Sequence, residues 1–169
     1  MDHLPRRIGR ILVPVDFSDN AKAALQYARM LADKFGAEVH VLHVYPEPAY
    51  ITPDMVMAYS PGTVAQGVLE FVRGQAARDL DAFLDAVGKE GSGLVTGRLE
   101  TGDPFRRIIE VATLGHYDLL VMGTHGRTGI SHLLLGSVAE RVVRHSPCPV
   151  LTIRAATEAP AVEVSRRAA

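Results

Sequence analysis

Short apolar runs alternate with longer amphipathic stretches along most of the chain, and this alternation predicts its elements. The apolar runs predict five strands, at residues 10–15, 38–45, 94–102, 118–123 and 150–154. Between them, apolar residues recur at helical spacing and predict four helices, at residues 19–35, 68–87, 104–114 and 137–144. Runs without polar alternation, such as DLLVMG at 118–123, are typical of strands buried on both faces.

Capping residues mark where three of the helices begin. Either Ser18 or Asp19 is a suitable N-cap for the first helix, and Asp103 followed by Pro104 is a typical start for the third. The sequence SVAE, which begins at Ser137, fits the S-x-x-E capping box at the start of the fourth helix.

The regular alternation of strand and helix predicts one α/β domain. Such an order favours a parallel sheet with right-handed crossovers and helices on both faces. We expect this domain to span residues 1–154, and residues 155–169, rich in alanine and charge, to form a disordered tail. Residues 46–67 are rich in proline and longer than an ordinary connection, so they are expected to form a flexible cover or lid.

Composition and charge argue against several classes of protein. The 169 residues carry a formal net charge of -1, which gives no electrostatic basis for binding nucleic acid or an anionic membrane. No stretch approaches the roughly 18 apolar residues of a membrane span, and the N-terminal apolar run is shorter than a signal peptide requires. Because Cys148 is the one cysteine, no intrachain disulfide can form, and a cytoplasmic location is expected.

Candidate ligand-binding residues follow two of the predicted strands. Asp16 lies just past the first strand, and Gly123 and Gly126 follow the fourth. Ligands of open α/β sheets bind beyond the carboxyl ends of strands. The glycines are expected to let the chain turn sharply and to keep side chains away from a ligand. The helix start at Ser137 suits a phosphate, and Arg127 adds a cation beside it.

Better-known nucleotide, catalytic and metal motifs are absent. No lysine lies between Gly123 and Ser137, so there is no P-loop, and the first strand is not followed by G-x-G-x-x-G. Neither a nucleophile elbow nor H-E-x-x-H occurs, and the histidines lack metal-ligand spacing, so no catalytic or metal-binding residue is predicted. His40 and His43, on opposite faces of the second strand, are expected to be packed or hydrogen-bonded. Cys148 has no partner base and is expected to be inert.

The stretch GTHGRTGISHLLLGS carries a specific glycine pattern. Its residues Gly123, Gly126, Gly136 and Ser137 fit G-x2-G-x9-G-[ST]. On this stretch, with ILVPVDFSDNAKAAL, VHVLHVY and SPCPVLTIR, the chain resembles the nucleotide-binding branch of the universal stress protein family over about residues 7–154. The resemblance implies strand order 3-2-1-4-5 and the layering of flavodoxin-like and adenine nucleotide hydrolase-like folds.

The same resemblance implies an ATP site, carried over residue by residue. Its parts are an apolar wall around adenine, an acidic residue near the adenine and ribose, a loop against the ribose and phosphates together with the residue just before it, and a phosphate cradle. In that order they are Pro14, Val15 and Val44; Asp16; Met122, Gly123 and Gly126; and Gly136, Ser137 and Val138. ATP is the implied ligand, with AMP or ADP as alternatives, and Mg²⁺ is expected with its phosphates. A homodimer through the last strand, residues 149–154, is also implied.

Three functions stay open at this point. The first is an ATP-binding stress-response module, in which nucleotide occupancy biases conformation or the choice of a protein partner that the sequence does not identify. The second is a slow ATPase that uses the same site, and the third is a dimeric chaperone-like module without nucleotide. A simpler interpretation of the residues also exists, in which the glycines serve only turns and Asp16 only the helix start.

Overall fold

A computed structural model describes residues 7–46, 56–57, 66–88, 94–126 and 135–155. Within these ranges the chain forms seven strands and four helices. In chain order they are β1 (Arg10–Val15), α1 (Asp19–Phe35), β2 (Glu38–Tyr45), β3 (Val56–Met57), β4 (Gln66–Gly67), α2 (Val68–Val87), β5 (Val95–Thr101), α3 (Pro104–Leu114), β6 (Leu119–Gly123), α4 (Ser137–His145) and β7 (Val150–Ile153).

Five of the strands form one parallel sheet. Its order is β5-β2-β1-β6-β7, and each neighbouring pair is parallel. Counted along the chain, this is the order 3-2-1-4-5, so the expected α/β class, sheet and four helices are confirmed. α1 and α2 pack on one face of the sheet, and α3 and α4 pack on the other.

The central strand β1 contributes to the cores on both faces. Ile11 and Val13 pack with α1 and α2, whereas Leu12 packs with α3 and α4. This division follows from the pleat, which points successive side chains to opposite faces. All three side chains are at most 1% exposed, as expected for a parallel strand covered on both sides. Because all neighbouring strands are parallel, their carboxyl ends lie along the same edge of the sheet, and the buried cores on both faces hold that edge in place.

Local sequence signals set the start of α1 and α3. Ser18 is the N-cap of α1, because its hydroxyl accepts a hydrogen bond from the backbone N–H of Ala21 at 3.2 Å. Asp103 caps α3 in the same way through Arg106 N–H at 2.9 Å, with Pro104 as the first helical residue. Both starts are as predicted, with Ser18 rather than Asp19 as the cap.

The predicted cover and tail lie largely outside the described residues. Within 46–67, the backbone of Val56–Met57 pairs antiparallel with Gln66–Gly67, so these four residues form strands where a loop was expected. Residues 47–55, 58–65 and 156–169 are not described. Among the helices in the described ranges, none is long and apolar enough to cross a membrane.

Candidate functional site

A cavity of about 350 Å³ opens at the carboxyl edge of the sheet. β1 lies there between β2 and β6, at the point where the chain stops adding strands on one side and begins adding them on the other. Such a switch point is where open α/β sheets bind ligands. The cavity lining includes ten of the eleven predicted binding residues: Pro14, Val15, Asp16, Val44, Met122, Gly123, Gly126, Gly136, Ser137 and Val138. The eleventh, Arg127, lies outside the described residues.

Sequence reasoning missed several residues of the cavity lining. Leu42, Ile108 and Ala139 are buried apolar residues that extend the lining toward α3 and α4. The spacing of apolar residues predicts that a side chain is buried, but it does not show whether that side chain packs in the core or lines a cavity. The remaining missed residues are Ala21, Pro104, Thr124 and His125.

The turn after β1 orients the carboxylate of Asp16. The Ser18 hydroxyl donates a hydrogen bond to Asp16 Oδ1 at 2.6 Å, and the Ser18 backbone N–H donates another at 3.2 Å. The other oxygen, Oδ2, faces the glycine loop, because a Cβ added to Gly126 would lie 2.5 Å from it. The carboxylate therefore stands between the start of α1 and the loop after β6.

The signature glycines are required by close packing, not by an unusual backbone. Among the described glycines, positive φ angles occur at Gly36, Gly88 and Gly102 but at none of the signature glycines. Gly123 and Gly126 therefore do not use the left-handed backbone that favours glycine, although the chain bends between them, at Thr124 and His125.

Added Cβ atoms show what each glycine accommodates instead. At Gly123 a Cβ would lie 2.8 Å from the Cβ of Asn20, and at Gly136 it would lie 3.2 Å from the carbonyl oxygen of Thr124. At Gly126 it would meet Asp16, as described above. Each glycine therefore lets the chain pass close to a neighbouring segment, which is the start of α1 for Gly123, Asp16 for Gly126 and Thr124 for Gly136.

The start of α4 differs from the predicted capping box. Gly136 is the N-cap, with extended φ and ψ of -61° and 149°, and its carbonyl accepts from Glu140 N–H at 2.8 Å. Ser137 is the first helical residue, so the prediction of Ser137 as the cap is wrong. Glu140 forms an ion pair with Arg144 at 3.0 Å. The N-cap Gly136 has no side chain to accept from the first N–H groups of α4, and among the described residues no side-chain cap is present, so these groups suit an anion at the cavity.

His125 brings an unsatisfied polar atom to the cavity lining. Its Nδ1 lies 3.1 Å from the hydroxyl of Thr124. Its Nε2 is buried and has no hydrogen-bond partner among the described residues. Buried polar atoms are normally hydrogen-bonded, and an exception next to a cavity is consistent with a partner supplied by a ligand.

The other histidines noted in the sequence have structural partners. His40 Nδ1 lies 2.6 Å from the hydroxyl of Tyr117, and His43 Nδ1 lies 2.9 Å from the carbonyl oxygen of Val15. Burial raises the pKa of Tyr117, although the nearby Arg10 opposes this effect. Within the described part of the chain, no group of three or more histidine, cysteine or acidic side chains could hold a metal ion.

Comparison with known proteins identifies the family. Residues 7–154 match the sequence profile Usp, the universal stress protein family. The chain belongs to this family. Universal stress protein MJ0531 of Methanocaldococcus jannaschii is 34% identical over 149 residues, which cover 86% of this chain and 81% of that protein. The solved structure of universal stress protein UspA from Lactobacillus plantarum has a TM-score of 0.71 and 30% identity, covering 89% of this chain and all of that one.

Two more distant members have been solved with adenine nucleotides. One universal stress protein is in complex with cAMP, with a TM-score of 0.63 and coverage of 89% of this chain and 99% of that one. The universal stress protein from Archaeoglobus fulgidus is in complex with dAMP, with a TM-score of 0.60 and coverage of 86% and 97%. Each is 22% identical to this chain, so the likeness establishes a shared fold.

Proposed function

We propose that this universal stress protein binds an adenine nucleotide, with ATP as the working ligand, and acts as a nucleotide-dependent regulatory module. The observation that carries the proposal is the meeting of three features in one cavity. These are an apolar wall, a preoriented carboxylate at Asp16 and the start of α4, whose N-cap is a glycine. In turn, they suit the base, the sugar and the phosphates of a nucleotide.

In the proposed binding mode, the base, the ribose and the phosphates contact different parts of the cavity lining. Adenine packs against the apolar side chains of Pro14, Val44 and Met122, which lie on the α3/α4 side of the sheet, and the Asp16 carboxylate accepts hydrogen bonds from the ribose hydroxyls. The phosphates lie at the start of α4, where N–H groups and the helix dipole favour negative charge. The volume of about 350 Å³ lies within the roughly 300–1,000 Å³ usual for small-molecule sites.

Two further observations support an adenine nucleotide. Structural relatives in the family hold cAMP and dAMP, which share the adenine ring and one phosphate. The buried Nε2 of His125 has no partner among the described residues, which is consistent with a polar ligand nearby. Mg²⁺ would accompany the phosphates, and the hydroxyl of Ser137, the first residue of α4, would help to hold it.

We also propose that the protein forms a homodimer through β7. β7 ends the sheet order, and in the described part of the chain no strand pairs with its outer edge. The backbone N–H of Leu120 donates to the carbonyl of Pro149. Because donors and acceptors alternate along a parallel ladder, the polar backbone groups of Val150 and Thr152 face outward. An exposed apolar edge favours pairing with a second copy, as a two-fold dimer would provide.

Mass spectrometry of freshly purified protein tests the proposed ligand. Nucleotide released by heat denaturation is identified, and a Gly126→Ala preparation serves as the comparison. We expect adenine nucleotide from the wild-type protein and much less from the variant. Equal amounts from both would show carry-over and contradict specific binding in this cavity. ATP turnover that is unchanged in the same variant would likewise be a contaminant and would remove the slow ATPase from consideration.

A further inference from the structure

The side chain of Asn20 joins the cavity loop to the end of the last strand. Asn20 lies in the first turn of α1, next to Ala21, which lines the cavity. Its Nδ2 donates a hydrogen bond to the carbonyl oxygen of His125 at 3.2 Å. Its Oδ1 accepts a hydrogen bond from the backbone N–H of Ala155, just past β7, at 2.8 Å. One amide group therefore connects three segments that are far apart in the chain.

These two hydrogen bonds together fix the orientation of the amide group. A carboxamide has one acceptor oxygen and one donor nitrogen. Rotating it by half a turn would set its oxygen against the His125 carbonyl and its nitrogen against the Ala155 N–H, and both bonds would be lost. The Ala155 N–H thus holds the oxygen, and in doing so aims the nitrogen at His125.

The segment held by Asn20 is the loop that lines the cavity after β6. Gly123 passes so close to Asn20 that an added Cβ would lie 2.8 Å from the Asn20 Cβ. The backbone of Thr124 donates to the carbonyl of Ile153 at 2.9 Å and accepts from Gly136 N–H at 2.8 Å. The loop is therefore anchored to α1, to the end of β7 and to the N-cap of α4.

We propose that Asn20 is a positioning residue of the nucleotide site, and that Ala155 sets its orientation. By holding the His125 carbonyl, Asn20 keeps residues 123–126 at the distance from Asp16 that the ligand requires. Binding sites lose affinity when the groups that support their contacts are removed, because the contacting atoms are then no longer preorganised. This inference rests on the proposed function, since it concerns the same cavity.

Two substitutions separate the two hydrogen bonds of Asn20. Asn20→Ala removes both, whereas Asn20→Asp keeps an acceptor for Ala155 but cannot donate to the His125 carbonyl. Asp19→Asn is the matched control, because Asp19 is the neighbouring exposed residue in the same turn and does not line the cavity. Calorimetry with ATP and with adenosine measures binding. Adenosine has no phosphate, so it is insensitive to repulsion between phosphate and the introduced carboxylate.

We expect both Asn20 variants to raise the Kd at least fivefold for ATP and for adenosine, and the control to stay within twofold of wild type. Hydrogen exchange of the Ala155 amide should be slow in wild type and Asn20→Asp and fast in Asn20→Ala. Wild-type affinity for adenosine in either Asn20 variant would overturn the proposal. Equally fast Ala155 exchange in both variants would refute the orienting role of Ala155. Wild-type protein that binds neither ligand would instead contradict the proposed function, and this inference with it.

Discussion

The carboxylate of Asp16 is held in place by its own turn. Ser18 donates two hydrogen bonds to one of its oxygens. Between them Phe17 adopts a left-handed backbone with φ of 67°, a conformation that costs about 1–3 kcal/mol in a residue with a side chain. The Phe17 ring packs 4.2 Å from the ring of His43 and 5.4 Å from that of Phe83, and this packing offsets the strain. The charge is thus oriented by the fold itself.

Gly126→Ala tests the contact between the glycine loop and this carboxylate. The new Cβ would lie 2.5 Å from Asp16 Oδ2, so either the loop or the carboxylate must move. We expect ATP affinity to fall at least tenfold by calorimetry, with an unchanged circular dichroism spectrum. Gly74→Ala is the control, since its Cβ would lie in α2 at an ordinary 3.6 Å from Arg78. Wild-type affinity in Gly126→Ala would show that the close approach to Asp16 is not needed for binding.

Cys148 should be a slow nucleophile. Burial raises the pKa of its thiol, and the nearby Asp118 acts in the same direction, whereas the hydrogen bond from Ser146 opposes them. The thiolate is therefore disfavoured in the folded protein, and its reactivity should appear at higher pH than in the unfolded chain. The rate of reaction with a chromogenic disulfide, followed against pH with and without urea, measures this. If the midpoint of the rate against pH in the folded protein lay at or below that of the unfolded chain, the raised pKa of the Cys148 thiol would be contradicted.

At the scale of helices and strands, the periodicity of apolar residues was a better predictor than the capping motifs. The strands and helices followed from spacing because burial on one face or both leaves a regular pattern, as in β1 and α1. The true start of α4 was not predicted, because Ser137 and Glu140 fit the sequence pattern of a capping box that does not form in the structure. Instead, Gly136 is the N-cap, and its N–H donates a hydrogen bond to the carbonyl of Thr124. Thr124 lies 12 residues earlier in the sequence, so a local sequence pattern does not reveal this contact.

Some residues of the candidate site could likewise be predicted from the sequence, and others could not. Asp16 and the glycines were found because strand ends and spacing mark them, and ten predicted residues line one cavity. The close contacts of the glycines could not be predicted, since they depend on how near Asn20 and Asp16 approach in three dimensions. Leu42 and Ile108 were missed because an apolar residue on a buried face carries no sign of whether it faces a cavity.

Ser18→Ala tests whether the cap of α1 also serves the site. Ser18 caps α1 and also donates a hydrogen bond to Asp16, whereas Asp103 caps α3, on the opposite face of the sheet. Loss of an N-cap costs about 0.5–2 kcal/mol, so Ser18→Ala and Asp103→Ala should lower the free energy of unfolding in urea by similar amounts. Only Ser18→Ala should also weaken ATP binding. Equal ATP affinity in the two variants would mean that Ser18 has no effect on the site through Asp16.

At the scale of the whole molecule, the outer edge of β7 is the surface that a second copy would cover. Val150 is the position to change, because its N–H faces outward and proline there removes an edge donor while the β6–β7 ladder stays intact. We expect Val150→Pro to shift the protein from dimer toward monomer by light scattering, at unchanged helical content. A dimer as stable as that of wild type would place the interface elsewhere.

The central claim is that an adenine nucleotide binds in the cavity between β1, β6 and the start of α4. Backbone amide NMR spectra recorded during titration of the full chain with ATP test it most directly, since they report both binding and location. We predict saturable shifts at one ATP per chain, concentrated at residues 14–16, 122–126 and 136–138. Absence of saturable shifts, or shifts confined to surfaces away from these residues, would contradict it.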